Sequence, residues 1–203
     1  MPRAFVEDMK WPSRWNDCIA RISALGRANW VGLARRYADS QPAGRKYPRR
    51  TFEPKVGAAS PLNVVNPPVG KMLFECVPRL LDAELSILPC RPRPNSSRVV
   101  VEAYGRPVAA EAIGRVAYKG PRASIRRRRE ILAALHVGLP SYGIAVAMPG
   151  RDLARDIVSD RDGDRLDAVL ACLQAAWAHR NPDFAAGRDP LEGWIADPAL
   201  LKD

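Results

Sequence analysis

The sequence predicts an α/β fold in which a mixed sheet is flanked by helices and carries an insertion of helix and loop. Stretches with apolar residues three and four positions apart, typical of amphipathic helices, alternate with short apolar runs that suit strands. One run, residues 98–103, contains three consecutive valines. Such β-branched runs are typical of strands covered on both faces of a sheet, so this run, the valine strand, is predicted to be central.

The chain opens with helix-like sequence rather than with a strand. The first predicted helix covers residues 13–26, where Trp15, Cys18 and Ile22 share one apolar face. A second helix is predicted over residues 30–39, with its own apolar side.

Residues 40–70 are predicted to form a long basic loop, because they are rich in Pro, Gly, Arg and Lys and show no sustained period. Loops of this length inside a compact domain tend to be functional or mobile. Arg49 and Arg50 would contact phosphates if the loop bound nucleic acid, and Tyr47 and Phe52 would stack on bases. The alternative is a solvated basic loop whose aromatic residues hold it on the core.

The remaining elements follow in alternation. A third helix is predicted at residues 71–83 and a short strand at 85–88, and the valine strand comes after three prolines. A helix is then predicted at 122–135, a strand or buried turn at 144–148, and a last long helix at 164–179. No internal repeat is visible.

The last helix is predicted to pack one face against the sheet, because apolar residues recur along it at spacings of three and four. Gln174 and Arg180 are predicted to face solvent. The predicted buried residues are Leu166, Val169, Leu170, Leu173 and Trp177.

Composition indicates one globular domain over residues 1–203 and a polyanionic partner. Lys and Arg outnumber Asp and Glu by 32 to 22, which gives a formal charge of +10. Such a charge suits nucleic acid, although a basic surface that only maintains solubility is the alternative. The four cysteines form no CxxC pair and no apolar run is long enough to span a bilayer, so a reducing cytoplasm and no membrane are predicted.

Three carboxylates are candidates for chemistry. Glu102 ends the valine strand, and Asp164 and Asp167 lie three residues apart in the first turn of the last helix, where they point the same way. Carboxylates gathered from a strand end and a helix start suit Mg²⁺ or Mn²⁺, which could support phosphodiester cleavage. The alternatives are an arginine partner for Glu102 and helix capping for the aspartates.

Other sequence motifs, present or absent, bear on the class of functional site. The sequence lacks the GxxxxGK[ST], GxSxG and HExxH patterns, which excludes the commonest nucleotide-binding, hydrolase and zinc-protease sites. Residues 126–129 are four consecutive arginines on a predicted helix, so their side chains spread around it and cannot all face one ligand. A solvated face with one or two phosphate contacts is the preferred interpretation of this run.

Several short motifs, taken together and in order, resemble the domain of unknown function 429 family, which is described as predicted nucleases of RNase H-like fold. The motifs are Pro-Arg-Ala-Phe-Val at residues 2–6, Ser-Pro-Leu-Asn at 60–63, Asn-Pro-Pro-Val-Gly-Lys-Met at 66–72, Glu-Ala-Tyr at 102–104, Tyr-Lys-Gly at 118–120, Asp-Arg-Leu-Asp-Ala at 164–168 and Glu-Gly-Trp-Ile at 192–195.

The resemblance implies that Glu102 and Asp167 bind metal with Asp164 assisting, and that Lys119 and the arginines after it, Arg122 and Arg126, contact phosphate. Similar members open with strands that precede the Pro-Arg-Ala-Phe motif and carry the central metal-binding aspartate. The resemblance therefore implies an N-terminally incomplete, inactive nuclease domain, whose exposed sheet edge favours a homodimer. A non-catalytic nucleic-acid-binding or scaffold protein is the alternative.

Overall fold

The structure, a computed structural model, describes residues 1–120, 124–148 and 150–201. Helices and strands both occur, which confirms the α/β class, whereas the RNase H-like topology stays a prediction. In chain order the described elements are α1 Arg3–Asp8, α2 Trp15–Ser40, α3 Glu53–Val56, α4 Val69–Asp82, β1 Ser86–Leu88, β2 Val99–Val101, α5 Gly105–Ile113, α6 Ile125–Val137, α7 Arg151–Ser159 and α8 Asp164–Arg180.

The chain divides into two compact units. Unit 1 comprises Met1–Val100 and Ala185–Trp194, and unit 2 comprises Val101–Phe184 and Ile195–Asp203. The sequence predicted a single domain and did not anticipate this division.

An aromatic cluster forms the core of unit 1. Phe5 makes edge contacts with Trp11 and Tyr37, at ring-centroid distances of 5.0 and 4.9 Å. The Trp30 indole N–H donates to the carbonyl of Gly70 at 2.8 Å, which joins α2 to the start of α4. Within α2, Gly26 has a non-helical backbone (φ 72°) that separates two helical stretches, as the sequence predicted.

The valine strand is confirmed as β2, but its predicted central position and burial on both faces are wrong. β2 pairs with β1 in a two-stranded sheet, so the described sheet contains no central strand. Val99 is 55% exposed, and Val100 and Val101 are only half-buried. A sheet of two strands cannot enclose its own faces, which explains this exposure.

The predicted long loop is confirmed over most of residues 40–70, with the short helix α3 inside it. Phe52 is 1% exposed and its ring centroid lies 4.9 Å from that of Trp194, so an aromatic residue does hold the loop on unit 1. The buried Arg50 guanidinium lies beside the buried Glu53 carboxylate, with an Nε to Oε1 distance of 2.7 Å. The loop is therefore anchored as well as basic.

Helices α5 to α8 build unit 2, and α8 buries the predicted residues Leu166, Leu170, Leu173 and Trp177. The outward orientation predicted for Gln174 is wrong, because its side chain is 0% exposed and hydrogen-bonded within the unit. Val169 is half-buried.

One other prediction for unit 2 needs correction. The predicted strand or buried turn at residues 144–148 is wrong: Ile144 makes one isolated bridge with Leu139, and the described residues after it are irregular and at least partly exposed. The sequence did not predict α5 or α7.

No helix in the described part of the chain is both long and apolar enough to cross a membrane.

Candidate functional site

A cavity of about 520 Å³ in unit 2 lies beside the start of α5 and the first turn of α8. We call it the basic cavity, because among its described lining residues three are basic and exposed and only Asp167 is acidic. Its other notable feature is a pair of tyrosines. The basic and aromatic lining residues are Arg106, Arg115, Lys119, Tyr104 and Tyr118.

Asp167 contacts two of these lining residues. The Tyr118 hydroxyl donates to Oδ1 at 2.6 Å, and the Lys119 ammonium pairs with Oδ2. Burial, together with the hydrogen bond to Asp167, raises the pKa of Tyr118 well above its ordinary value. Tyr118 therefore remains a protonated donor at neutral pH, and both Asp167 oxygens accept hydrogen bonds.

Gly163 positions this cluster at the start of α8. Its backbone is left-handed (φ 76°), and a Cβ atom there would lie 2.8 Å from the Lys119 Cβ. Only glycine combines this conformation with so close an approach. The amide of Gly120 also donates to the carbonyl of Arg161 at 3.3 Å, so the segment carrying Tyr118 and Lys119 is held against the loop before α8.

Arg128 also holds the segment that carries Tyr118 and Lys119. Although it belongs to the run of four arginines, it is 3% exposed. Its Nε donates to the carbonyl of Val158 at 2.7 Å and its Nη1 to the carbonyl of Tyr118 at 3.0 Å. The guanidinium thus joins α6, the end of α7 and the wall of the basic cavity.

A buried polar network holds the start of α5. The Gln174 amide oxygen accepts from the backbone N–H of Tyr104 at 2.7 Å, and its nitrogen donates to Asp197 at 2.6 Å. The Tyr142 hydroxyl donates to the same carboxylate at 2.7 Å. Burial raises the pKa of Asp197 despite these donors. The network fixes Tyr104, which lines the basic cavity.

The predicted metal ligands lie in different surroundings in the structure. Among residues 1–120, 124–148 and 150–201, no three His, Cys, Asp or Glu side chains are grouped to hold a metal. Glu102 is half-buried and its carbonyl accepts from the Ala196 amide at 2.8 Å. Asp164 is exposed, while the Asp167 oxygens contact the Tyr118 hydroxyl and the Lys119 ammonium group. Binding of Mg²⁺ or Mn²⁺ therefore stays a prediction.

The predicted phosphate contacts are distributed over both units. Lys119 lines the basic cavity, and Arg126 is exposed and paired with Glu130 at 2.8 Å. In unit 1, Arg49 is exposed, whereas Arg50 is buried against Glu53 and donates to the carbonyl of Glu192 at 3.0 Å. The remaining predicted contact, Arg122, lies outside the described residues.

Sequence reasoning missed Arg106 and Arg115 as cavity residues. Neither belongs to a charge run: Arg106 lies in the first turn of the unpredicted helix α5, and Arg115 follows the end of that helix. The Tyr104-Gly105-Arg106-Pro107 sequence contains the available signal, because Pro is favoured in the first turn of a helix. Its glycine also allows close packing, since a Cβ on Gly105 would lie 2.9 Å from Leu170.

Comparison with models of known families, with curated proteins and with solved structures finds no match. The resemblance to the domain of unknown function 429 family stays a prediction.

Proposed function

We propose that unit 2 binds nucleic acid through the basic cavity, with phosphates held by arginine and lysine and without dependence on base sequence. The observation that supports this most strongly is the convergence of Arg106, Arg115 and Lys119 with two tyrosines in one cavity. Basic side chains interleaved with aromatic ones are the recurring arrangement for single-stranded nucleic acid.

The individual side chains suit that role. Arginine and lysine contribute the salt-dependent part of nucleic-acid affinity, because each phosphate contact releases condensed counterions. Tyr104 is half-buried and offers ring surface for stacking, whereas the buried Tyr118 holds Asp167 in place through its hydroxyl. The first two residues of α5, Gly105 and Arg106, line the same cavity, and the N-terminus of a helix favours an anion.

Asp167 opposes binding in this proposal. Its carboxylate occupies Lys119 and places a negative charge where a phosphate would approach. A phosphate must therefore compete with Asp167 for the lysine, which keeps affinity low. Exposed ion pairs of this kind contribute roughly 0–1 kcal/mol, so a phosphate can displace the carboxylate.

Metal-dependent nuclease activity remains the proposal that follows from the family resemblance, and the structure adds no support to it. A homodimer through the edge of the β1–β2 sheet also remains a proposal, which size-exclusion chromatography at several concentrations tests. A cytoplasmic location is proposed because the four cysteines lie far apart in the sequence and form no CxxC pair. All four are free thiols in the structure.

Fluorescence anisotropy with a labelled single-stranded oligonucleotide tests the proposed function. Arg115→Gln and Lys119→Gln should each weaken binding severalfold and equally for oligonucleotides of different sequence, since each substitution removes a cation that contacts phosphate. Asp167→Asn should strengthen binding, because it releases Lys119 and removes the negative charge.

Arg180→Gln is the matched control, because it removes the same charge from the far end of α8. Residue 180 lies 13 positions after Asp167, or roughly 20 Å along the helix axis. Equal affinities of Arg115→Gln, Lys119→Gln and Arg180→Gln would contradict the proposed function, as would weaker binding by Asp167→Asn.

A further inference from the structure

A second cavity of unit 2, of about 470 Å³, lies between α6 and α7. We call it the α6–α7 groove, and none of its described lining residues lines the basic cavity. Its apolar lining comes mainly from Leu132 and Ala133 on α6 and from Ala154 and Val158 on α7. The groove is therefore a separate feature that the proposed function does not use.

Helical spacing explains how two helices form one concave surface. On α6, Arg129, Leu132, Ala133 and His136 follow at intervals of three, one and three residues, so they occupy one face. On α7, Ala154 and Val158 are four residues apart and likewise share a face. The facing sides supply an apolar floor, and Ile125, 44% exposed, extends it toward solvent.

The ionisable side chains that line the groove are all basic. Among its described lining residues, the ionisable side chains are Arg129, His136 and Arg155. Arg129 and His136 are exposed, and Arg155 contacts Asp152 at 3.0 Å on the surface, with both side chains more than 70% exposed. An apolar floor with cationic groups at its rim is complementary to a ligand with an apolar body and an anionic end.

We propose that the α6–α7 groove binds a small apolar carboxylate, of the size of a medium-chain fatty acid. The carboxylate would accept charge-assisted hydrogen bonds from the planar guanidinium of Arg129, while the hydrocarbon chain covers Leu132, Ala133 and Val158. The groove volume lies within the range of small-ligand sites, roughly 300–1,000 Å³. This proposal is independent of nucleic-acid binding.

Proton NMR of the intact chain gives a direct readout, because the sequence contains only two histidines, His136 and His179. Titration with octanoate should shift the imidazole resonances of His136 and leave those of His179 unchanged, with assignments from His179→Gln. Two control ligands each lack one feature of octanoate: octanol has the same chain without the charge, and acetate has the charge without the chain. Each should bind at least about tenfold more weakly than octanoate, as expected for the removal of one good interaction.

Two variants locate the site. Arg129→Gln should weaken octanoate binding about tenfold, and Ala133→Trp should abolish it by filling the groove. Arg180→Gln is the charge-matched control and should bind like the wild type. Circular dichroism checks that each variant is folded, and Arg129→Gln tests the site by itself if Ala133→Trp does not fold.

Several results would overturn the proposal. These are absence of an octanoate-induced shift at His136, equal binding of octanol and octanoate, and unchanged affinity in Arg129→Gln. A shift at both histidines of similar size would indicate nonspecific detergent-like binding and would overturn it as well.

Discussion

Replacement of Gln174 by leucine should destabilise unit 2 by about 3 kcal/mol at neutral pH. The buried Gln174 amide donates to Asp197 at 2.6 Å and accepts from the Tyr104 N–H at 2.7 Å. Loss of a hydrogen bond to a charged group costs roughly 1.5–3 kcal/mol, and loss of the acceptor for the part-buried Tyr104 N–H costs at most roughly 1–3 kcal/mol. The apolar leucine side chain recovers part of this total.

The loss should depend on pH, with a sign set by Asp197. Burial raises the pKa of Asp197, so the folded protein binds the proton more tightly than the unfolded chain does. The stability that this group contributes is therefore present below the unfolded pKa and lost as pH rises through the folded pKa. Gln174 donates to the charged form, so its replacement should raise the pKa of Asp197 further. The penalty should accordingly be smaller at pH about 4 than at pH about 7.

Urea denaturation followed by circular dichroism measures the change in free energy of unfolding. Hydrogen exchange adds a local readout, because the Tyr104 amide should exchange faster in the variant. Gln41→Leu is the matched control: the Gln41 amide donates to the Ser40 hydroxyl at 3.4 Å on the surface, and its replacement should cost less than about 0.5 kcal/mol. A Gln174→Leu protein as stable as the wild type at neutral pH, with unchanged exchange at Tyr104, would refute the proposed network.

Three further outcomes are expected. Gly163→Ala should destabilise the protein by about 1–3 kcal/mol because alanine disfavours the left-handed backbone. The loss should exceed that of Gly143→Ala, since Gly143 has a similar positive φ but open space, instead of Lys119, near the new Cβ. Thermal melting compares the two variants, and equal losses would contradict the packing described. Glu53→Gln should cost about 3–5 kcal/mol because it leaves the buried Arg50 without its carboxylate; urea denaturation measures it, and a loss below about 1 kcal/mol would contradict the buried pair. The chain should not cleave DNA or RNA with Mg²⁺ or Mn²⁺, and metal-dependent cleavage in a plasmid-nicking assay would show that its carboxylates complete a site.

Local sequence patterns predicted the long helices of this fold well. The apolar spacing over residues 13–39 indicated two helical stretches, and the break at Gly26 agrees with the left-handed preference of glycine. The short helices α5 and α7 were missed because α5 begins with glycine and proline and α7 is rich in charge. In such segments tertiary packing, rather than local propensity, decides whether a helix forms.

The burial errors have a different cause. From periodicity alone, a polar residue in an apolar helix is predicted to face solvent. Gln174 is nevertheless buried, because Asp197 and the Tyr104 amide, both distant in sequence, are its hydrogen-bond partners. Likewise, three valines in a row indicate a strand, whereas their coverage depends on how many other strands the chain provides. Neither fact is contained in the local sequence.

The candidate site was predicted only in part. Lys119 and Asp167 were both named from the sequence, and the structure brings them into contact as an ion pair. Their predicted roles as phosphate contact and metal ligand stay predictions. For Arg106 the only local signal was the proline that follows it, which indicates a helix start, and for Arg115 there was none. Neither could be assigned to a cavity from the sequence, because the cavity is formed by residues of α5, α8 and the segment between α5 and α6.

The salt dependence of oligonucleotide binding tests the central proposal, nucleic-acid binding by the basic cavity, most directly. Removing one cation that neutralises a phosphate of a single strand should lower the slope of log affinity against log salt by about 0.7, so Arg115→Gln combined with Lys119→Gln should lower it by about 1.4. The charge-matched double variant Arg79→Gln with Arg180→Gln should retain the wild-type slope. Equal slopes for the two double variants would contradict nucleic-acid binding by the basic cavity.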